Sequence, residues 1–232
     1  EMALEAGVQL FEGQSFAIED FEIRKPLIMS DPPEGLILEM SYNPGERTFI
    51  IQSCFEPSDT WSVHVVGSLR SERVESSFGE SDWEAPGADL ASVEPTEFYE
   101  YMTNLGLRYG PEFQPVNELN AGGGKSAGVV ELSEAIAKRA DEFALHPVIL
   151  DGALHVFSAG AQTVEDRKAG MKLPVRFDRI LYIQSPGAAS RVRAEVLNCN
   201  EELIEGRIGL YDGAGKPCVL VDGFRAVAMS SV

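Results

Sequence analysis

"LHPVILDGALHVF", residues 145–157, is an apolar segment that carries one carboxylate, Asp151, with His146 before it and His155 after it. A proline in the first turn starts helices readily, so a helix is expected from Pro147. In that helix Asp151 and His155 are four residues apart and lie one turn above the other on the same face. His146 sits at the helix entrance and off that face. Val148, Ile149, Leu150, Ala153, Leu154, Val156 and Phe157 leave the helix little polar surface. A solvated surface Asp–His pair is the competing interpretation, and this company weakens it. Burying an unpaired carboxylate is costly, and desolvation favours its neutral form. A carboxyl group held neutral near pH 7 is a general acid in waiting. A metal site would need a third ligand of suitable type, and no other His, Cys or Asp cluster supplies one.

Outward from this segment the chain reads as strands around few helices. "PTEFYEYMTNLG" is a short helix with Pro95 in its first turn and Gly106 as its stop. "FQPVNEL" and "KSAGVVEL" are strands joined by Asn120-Ala-Gly-Gly-Gly124. Four more strands are expected at 173–184, 190–198, 202–212 and 217–228, the last pair turning through Asp212-Gly-Ala-Gly215. Before them, "EMALEAGVQLF" has the pattern of the end of a helix whose start is absent. "IEDFEIRKPLIM", "GLILEMSYN", "RTFIIQSCFE" and "WSVHVVGSLR" follow as strands, with alternation clear in Ile18, Phe21 and Ile23. Asp31-Pro32-Pro33-Glu34-Gly35 and Asn43-Pro44-Gly45 mark turns. Residues 72–94, rich in Ser, Glu, Gly and Ala, read as a linker. The pattern predicts an α+β chain with antiparallel sheets, its halves versions of one unit. The expected divisions are 1–75, a linker at 76–94, and 95–232.

Composition narrows the function. The 232 residues suffice for one large domain or two small ones, and 44% hydrophobic with 24% charged residues is ordinary for a globular protein. No run approaches the ~18 apolar residues that span a bilayer. The opening residues carry acids at 1 and 5 and do not form a signal peptide. Cys54, Cys199 and Cys218 fit neither a disulfide framework nor a zinc motif, which points to a reducing cytoplasm and to plain core or strand roles. A net charge of −18 excludes a nucleic-acid footprint. The charge is uneven: residues 1–94 hold 5 basic and 19 acidic side chains, whereas 167–193 hold seven basic residues against Asp178 alone. That basic stretch is either a solvated face or a docking surface for an acidic partner. "GGGKS" at 122–126 lacks the glycine a phosphate loop needs at 119, where Leu119 stands, so it reads as a hairpin turn. His64, between Val63 and Val65, reads as a structural strand histidine.

"HPVILDGALH" resembles the H-P-x-x-L-D-x-x-x-[QH] motif of the dehydratase domains of modular polyketide synthases and animal-type fatty acid synthases. Further matches come in that family's order. "IEDFEIRKPLIM" is similar to its strand ending in P-L, "WSVHVVGSL" to its W-x-x-H-x-x-G strand, "LRYGPEFQPV" to its Y-G-P-x-F loop, and "KLPVRFDRILY" to its L-P-x-x-[FW] strand. "EMALEAG" looks like the helix after the family's first catalytic motif. The resemblance spans nearly the whole chain. It implies a double hotdog: two antiparallel sheets, each wrapped round a central helix, the first lacking its N-terminal part here.

The resemblance also implies chemistry. A histidine of the first hotdog removes the α-proton of a β-hydroxyacyl thioester, and the aspartate of the second protonates the departing hydroxyl. Asp151 matches that acid. His155 takes the orienting position usually held by glutamine, and Tyr109 faces the site. Gly110, Pro111, Phe113, His146, Pro147, Pro174 and Phe177 match positions around the substrate. The substrate rides on the phosphopantetheine arm of an acyl carrier protein, and no other cofactor is implied. Carriers are acidic, so Arg167, Lys168, Lys172, Arg176 and Arg179 become the expected docking cations. The other domains of the synthase, and a second copy in a homodimer, are the further partners implied. The family's base motif, H-x-x-x-G-x-x-x-x-P, has no counterpart here, and neither His64 nor His146 replaces it, since each matches a different motif. Truncation before Glu1 is the expectation, and little turnover is expected of 1–232 alone. Double-bond isomerisation, cyclic-ether formation and a silent scaffold are the alternatives on the same fold.

Overall fold

Eleven strands, antiparallel throughout, join into one continuous sheet in a computed structural model that describes residues 1–28, 35–72, 89–164 and 171–228. The first four are β1 (Phe16–Ile23), β2 (Leu36–Asn43), β3 (Thr48–Phe55) and β4 (Ser62–Ser71). They are followed by β5 (Ala91–Ser92), β6 (Val116–Gly122), β7 (Lys125–Glu131) and β8 (Lys172–Tyr182). The last are β9 (Ala189–Cys199), β10 (Leu203–Tyr211) and β11 (Pro217–Ala228). The helices are α1 (Met2–Leu10), α2 (Pro95–Asn104), the single turn α3 (Glu134–Ala137) and α4 (Pro147–Gln162). Spatial order is β2-β3-β4-β1-β8-β11-β10-β9-β7-β6-β5. The expected α+β double hotdog is therefore present, with one refinement. The two sheets meet edge to edge through β1 and β8, in a register from Phe16↔Tyr182 to Glu22↔Arg176.

Turn chemistry sets the register on either side. Gly123 and Gly124, at φ +57° and +80°, close the β6–β7 hairpin in two residues. Only a turn with positive φ at both positions matches the twist of such a pair, which is why glycines stand there. Asp212 Oδ1 accepts from the backbone N–H groups of Ala214 and Lys216, both at 2.9 Å, and shapes the β10–β11 turn. Ala91–Ser92, at the end of the expected linker, pairs with β6 instead of running free. The Asp31–Glu34 turn and linker residues 73–88 lie outside the described residues, as do Arg167 and Lys168.

The core forms where α4 crosses the inner face of β9, β7 and β6. Ile149, Val156 and Val130 are fully buried there. Gly152 lets the helix sit close: a Cβ at that position would lie 2.5 Å from Val130 Cγ1 and 2.7 Å from Pro115 Cγ. Across the seam, Phe16 stacks on Tyr182 at 5.1 Å and the Phe21 ring meets Phe177 edge-on at 5.6 Å. The Glu1 carboxylate accepts from the N–H groups of Ala144 and Leu145 at 3.0 and 3.3 Å, tying the start of α1 to the segment that leads into α4.

Candidate active site

His146 caps α4. Its Nδ1 accepts from the Val148 N–H at 3.2 Å, one of the donors a helix start leaves unpaired. Pro147 follows in the first turn, and the Phe143 ring packs on the imidazole at 4.7 Å. Burial, and to a lesser degree the Arg139 guanidinium, hold the His146 pKa below the usual histidine range. His146 is thus an element of the helix start, away from the Asp151 face.

One turn further on, Asp151 and His155 share a face as their spacing predicts. Asp151 Oδ2 and His155 Nε2 are 3.2 Å apart, although the ring N–H is not aligned on the oxygen. The Asp151 side chain is 31% exposed and the His155 side chain 2%, so the carboxylate meets the cavity while the imidazole stands behind it. Three rings enclose that imidazole: Tyr109 at 4.3 Å, Tyr99 at 5.5 Å and Phe98 at 6.2 Å between centroids. The Tyr99 hydroxyl lies 3.2 Å from His155 Nδ1 and accepts from the Val116 N–H at 3.3 Å. Burial, reinforced by the Asp151 charge, pushes the Tyr109 phenol up to about 12. Burial likewise pushes the Tyr99 phenol far up, with the Val116 N–H opposing and Asp151 assisting. Both phenols are therefore protonated donors at neutral pH.

A cavity of about 130 Å³ opens on this group. Along α4 its wall is Asp151, Leu154, His155, Phe157, Ser158, Ala161 and Gln162, a strip largely at helical spacing. Tyr109, Pro174 and Phe224 close other sides, and Lys172 stands in the wall as well. The apolar lining suits an acyl chain, and a carboxyl group at its margin suits proton transfer to an oxygen.

Of the residues expected around a substrate, Asp151, His155, Tyr109 and Pro174 converge on this cavity and the others do not line it. Gly110, Pro111 and Phe113 belong to a tight turn beside it, with Phe113 41% exposed. Phe177 is core: its ring is occupied by Phe21 and Phe224 at the β1–β8 seam. Pro147 is the helix start. Among the docking cations, Arg176 pairs with Asp20 and Asp178, and Arg179 pairs with Glu72. These two arginines hold the chain's own carboxylates, a different arrangement from the free basic face that composition suggested.

Tyr99 is the residue that sequence reasoning missed. It lies far from residue 155 in the chain, and only the fold brings its hydroxyl to His155. The available signal was chemical: a phenol on the buried side of a helix needs a hydrogen-bond partner. His64 has both ring nitrogens satisfied, by Ser53 Oγ at 2.7 Å and the Lys25 carbonyl at 3.0 Å, in keeping with a structural role. Cys54 and Cys218 are buried free thiols. Among the described residues no cluster of three His, Cys, Asp or Glu side chains is placed to hold a metal ion, and no helix is long and apolar enough to cross a membrane.

The family model of the polyketide synthase dehydratase N-terminal domain matches residues 79–232. Polyketide synthase GfsE of Streptomyces halstedii is 29% identical over 202 residues, which cover 83% of this chain and 5% of that protein. Mycoketide-CoA synthase of Mycobacterium tuberculosis is 25% identical over 226 residues, covering 95% of this chain and again 5% of the relative. The chain thus spans about a twentieth of the length of these synthases. Among solved structures, GphF Dehydratase 1 superposes with a TM-score of 0.83 at 22% identity, covering 99% of this chain and 82% of that one. The dehydratase domain from the CurK module of the curacin polyketide synthase gives 0.78 at 22%, covering 99% and 80%. These two likenesses are of fold.

Proposed function

The chain belongs to the polyketide synthase dehydratase family, and on that premise we propose that it supplies the acid half of a site that dehydrates a β-hydroxyacyl thioester borne on an acyl carrier protein. The observation that carries this reading is the Asp151 carboxyl group at the margin of an apolar cavity, backed by His155 and Tyr109. Elimination needs two groups because the α-proton is weakly acidic and hydroxide leaves poorly. A base takes the α-proton, the C–H electron pair becomes the new C=C bond, and the C–O bond breaks as Asp151 gives its proton to the leaving oxygen. The products are water and an α,β-unsaturated thioester, with Asp151 left as carboxylate and the proton on the base. The base of this reading is a histidine of the kind the family resemblance implies for the first hotdog. Tyr109, protonated at any working pH, serves as a neutral donor toward the substrate.

The test is mass spectrometry of a β-hydroxyacyl chain on its carrier, with the catalyst in its natural polypeptide and Asp151→Asn in parallel. Loss of one water in the wild type, reduced about 10²- to 10⁴-fold in the variant as for removal of a general acid, is the expected outcome. An unchanged mass with a chromatographically shifted product means isomerisation or ring closure instead. No change of any kind means a scaffold.

A further inference from the structure

We propose that Tyr99 is a positioning residue that fixes the tautomer of His155 and so keeps the imidazole proton on Nε2, the nitrogen on the Asp151 side. The proposal rests on the reading of Asp151 as the acid and adds a residue that the family motifs quoted above do not include. The Val116 N–H points at the Tyr99 oxygen from 3.3 Å, so the phenol is an acceptor there and its own proton must go elsewhere. His155 Nδ1, at 3.2 Å, is the acceptor within reach. The opposite tautomer, with the proton on Nδ1, leaves the Tyr99 proton buried without an acceptor, because Val116 offers only a donor. With Nδ1 accepting, the imidazole proton is on Nε2, which stands 3.2 Å from Asp151 Oδ2. The imidazole thus turns a protonated nitrogen, not a lone pair, to the Asp151 side, although the N–H is not aligned on the oxygen. The chain of command is Val116 N–H to Tyr99, Tyr99 O–H to His155, and His155 Nε2–H toward Asp151. Both side chains of this relay are buried: Tyr99 is 8% exposed and His155 1%.

The first readout needs no turnover. The chain has 3 histidines, so ¹⁵N-histidine spectra of the full chain at neutral pH resolve each ring, with His155→Gln as the assignment control. The expected result is His155 protonated at Nε2 in the wild type and a mixture of tautomers in Tyr99→Phe. Unchanged His64 signals, from a ring bonded at both nitrogens, report that the variant is folded. An Nδ1-protonated His155 in the wild type, or a tautomer unmoved in Tyr99→Phe, overturns the proposal. The second readout is kinetic. Tyr99→Phe is expected to lower kcat about ten-fold with KM little changed, the worth of one neutral hydrogen bond. In the His155→Gln background the same change should cost less, since an amide presents its N–H donors without needing a tautomer fixed. Equal losses in both backgrounds assign Tyr99 a merely structural role. Absence of turnover in every form counts against the dehydratase reading, while the spectra still decide the tautomer.

Discussion

His146 and His155 flank the same carboxylate in sequence yet do different work. His146 accepts a hydrogen bond from a backbone N–H at the start of α4, so protonation at Nδ1 would break the cap. Its pKa is depressed in the fold, and the sign follows: the unfolded chain takes up a proton first. The stability it contributes is therefore present above pH 6.5, the ordinary histidine value, and is lost as pH falls through the lower folded value. His146→Ala is expected to cost about 1 kcal/mol in urea unfolding at pH 7.5, the usual worth of a helix cap. His146→Asn, which keeps a side-chain acceptor, should retain most of that and show a shallower loss between pH 7.5 and 5.5. A steeper acid loss in the asparagine variant would refute the capping role. Asp151 and His155 were legible from spacing alone. The role of His146 as a cap was half legible, because Pro147 marked the helix entrance and not the bond.

At the level of the element, α4 does two jobs that pull against each other. One face packs into the sheet without a gap, and the other presents Asp151, His155, Ser158 and Gln162 to the cavity. Gly152, next to Asp151, is where the packed face lies closest over Val130 and Pro115 with no room for a Cβ. Alanine there gains helix propensity of about 1 kcal/mol, while forcing a methyl group into Val130 and Pro115 costs about 1–3 kcal/mol. Both neighbours are stiff, a β-branched side chain and a ring, so the clash wins. Gly152→Ala is expected to lower the melting temperature by several degrees in a calorimetric scan. Turnover should fall too, since the relief available is a shift of α4 that carries Asp151 with it. A variant with raised melting temperature and full activity would show that the helix has room to spare. The sequence announced this helix clearly through Pro147 and its apolar run. It did not announce the glycine, because close approach depends on what lies across the layer.

For the whole molecule, charge is the property that reads differently in space than along the chain. The basic stretch stood out in composition, yet Arg176 and Arg179 fold back onto Asp20, Asp178 and Glu72. Arg225 joins the same group through Asp178 and Glu205, so the ion pairs run across β1, β8, β11 and β10. Reversing either arginine would disturb the seam as well as any partner. The docking reading is accordingly best tested at Lys172, which stands in the cavity wall. Lys172→Glu is expected to raise KM for a carrier-borne thioester several-fold and to flatten its salt dependence, with a smaller change for a small thioester mimic. An equal change for both substrates would place Lys172 in substrate binding and not in docking.

Every strand but β5, the helices that begin at Pro95 and Pro147, the hairpin glycines and the Asp151–His155 spacing were legible along the chain, because each rests on periodicity or spacing within a few residues. The sequence also carried the family resemblance, through motifs in order along the chain. Long-range packing was not legible there: it welds the sheets into one through β1 and β8 and sets the Phe177 ring against Phe21 and Phe224. It also closes Arg176 and Arg179 onto Asp20, Asp178 and Glu72 and sets the Tyr99 hydroxyl beside His155. The physical reason is common to all of these. Each depends on a contact between residues tens of positions apart, and a side chain's own identity does not say which distant neighbour will share its space or its proton.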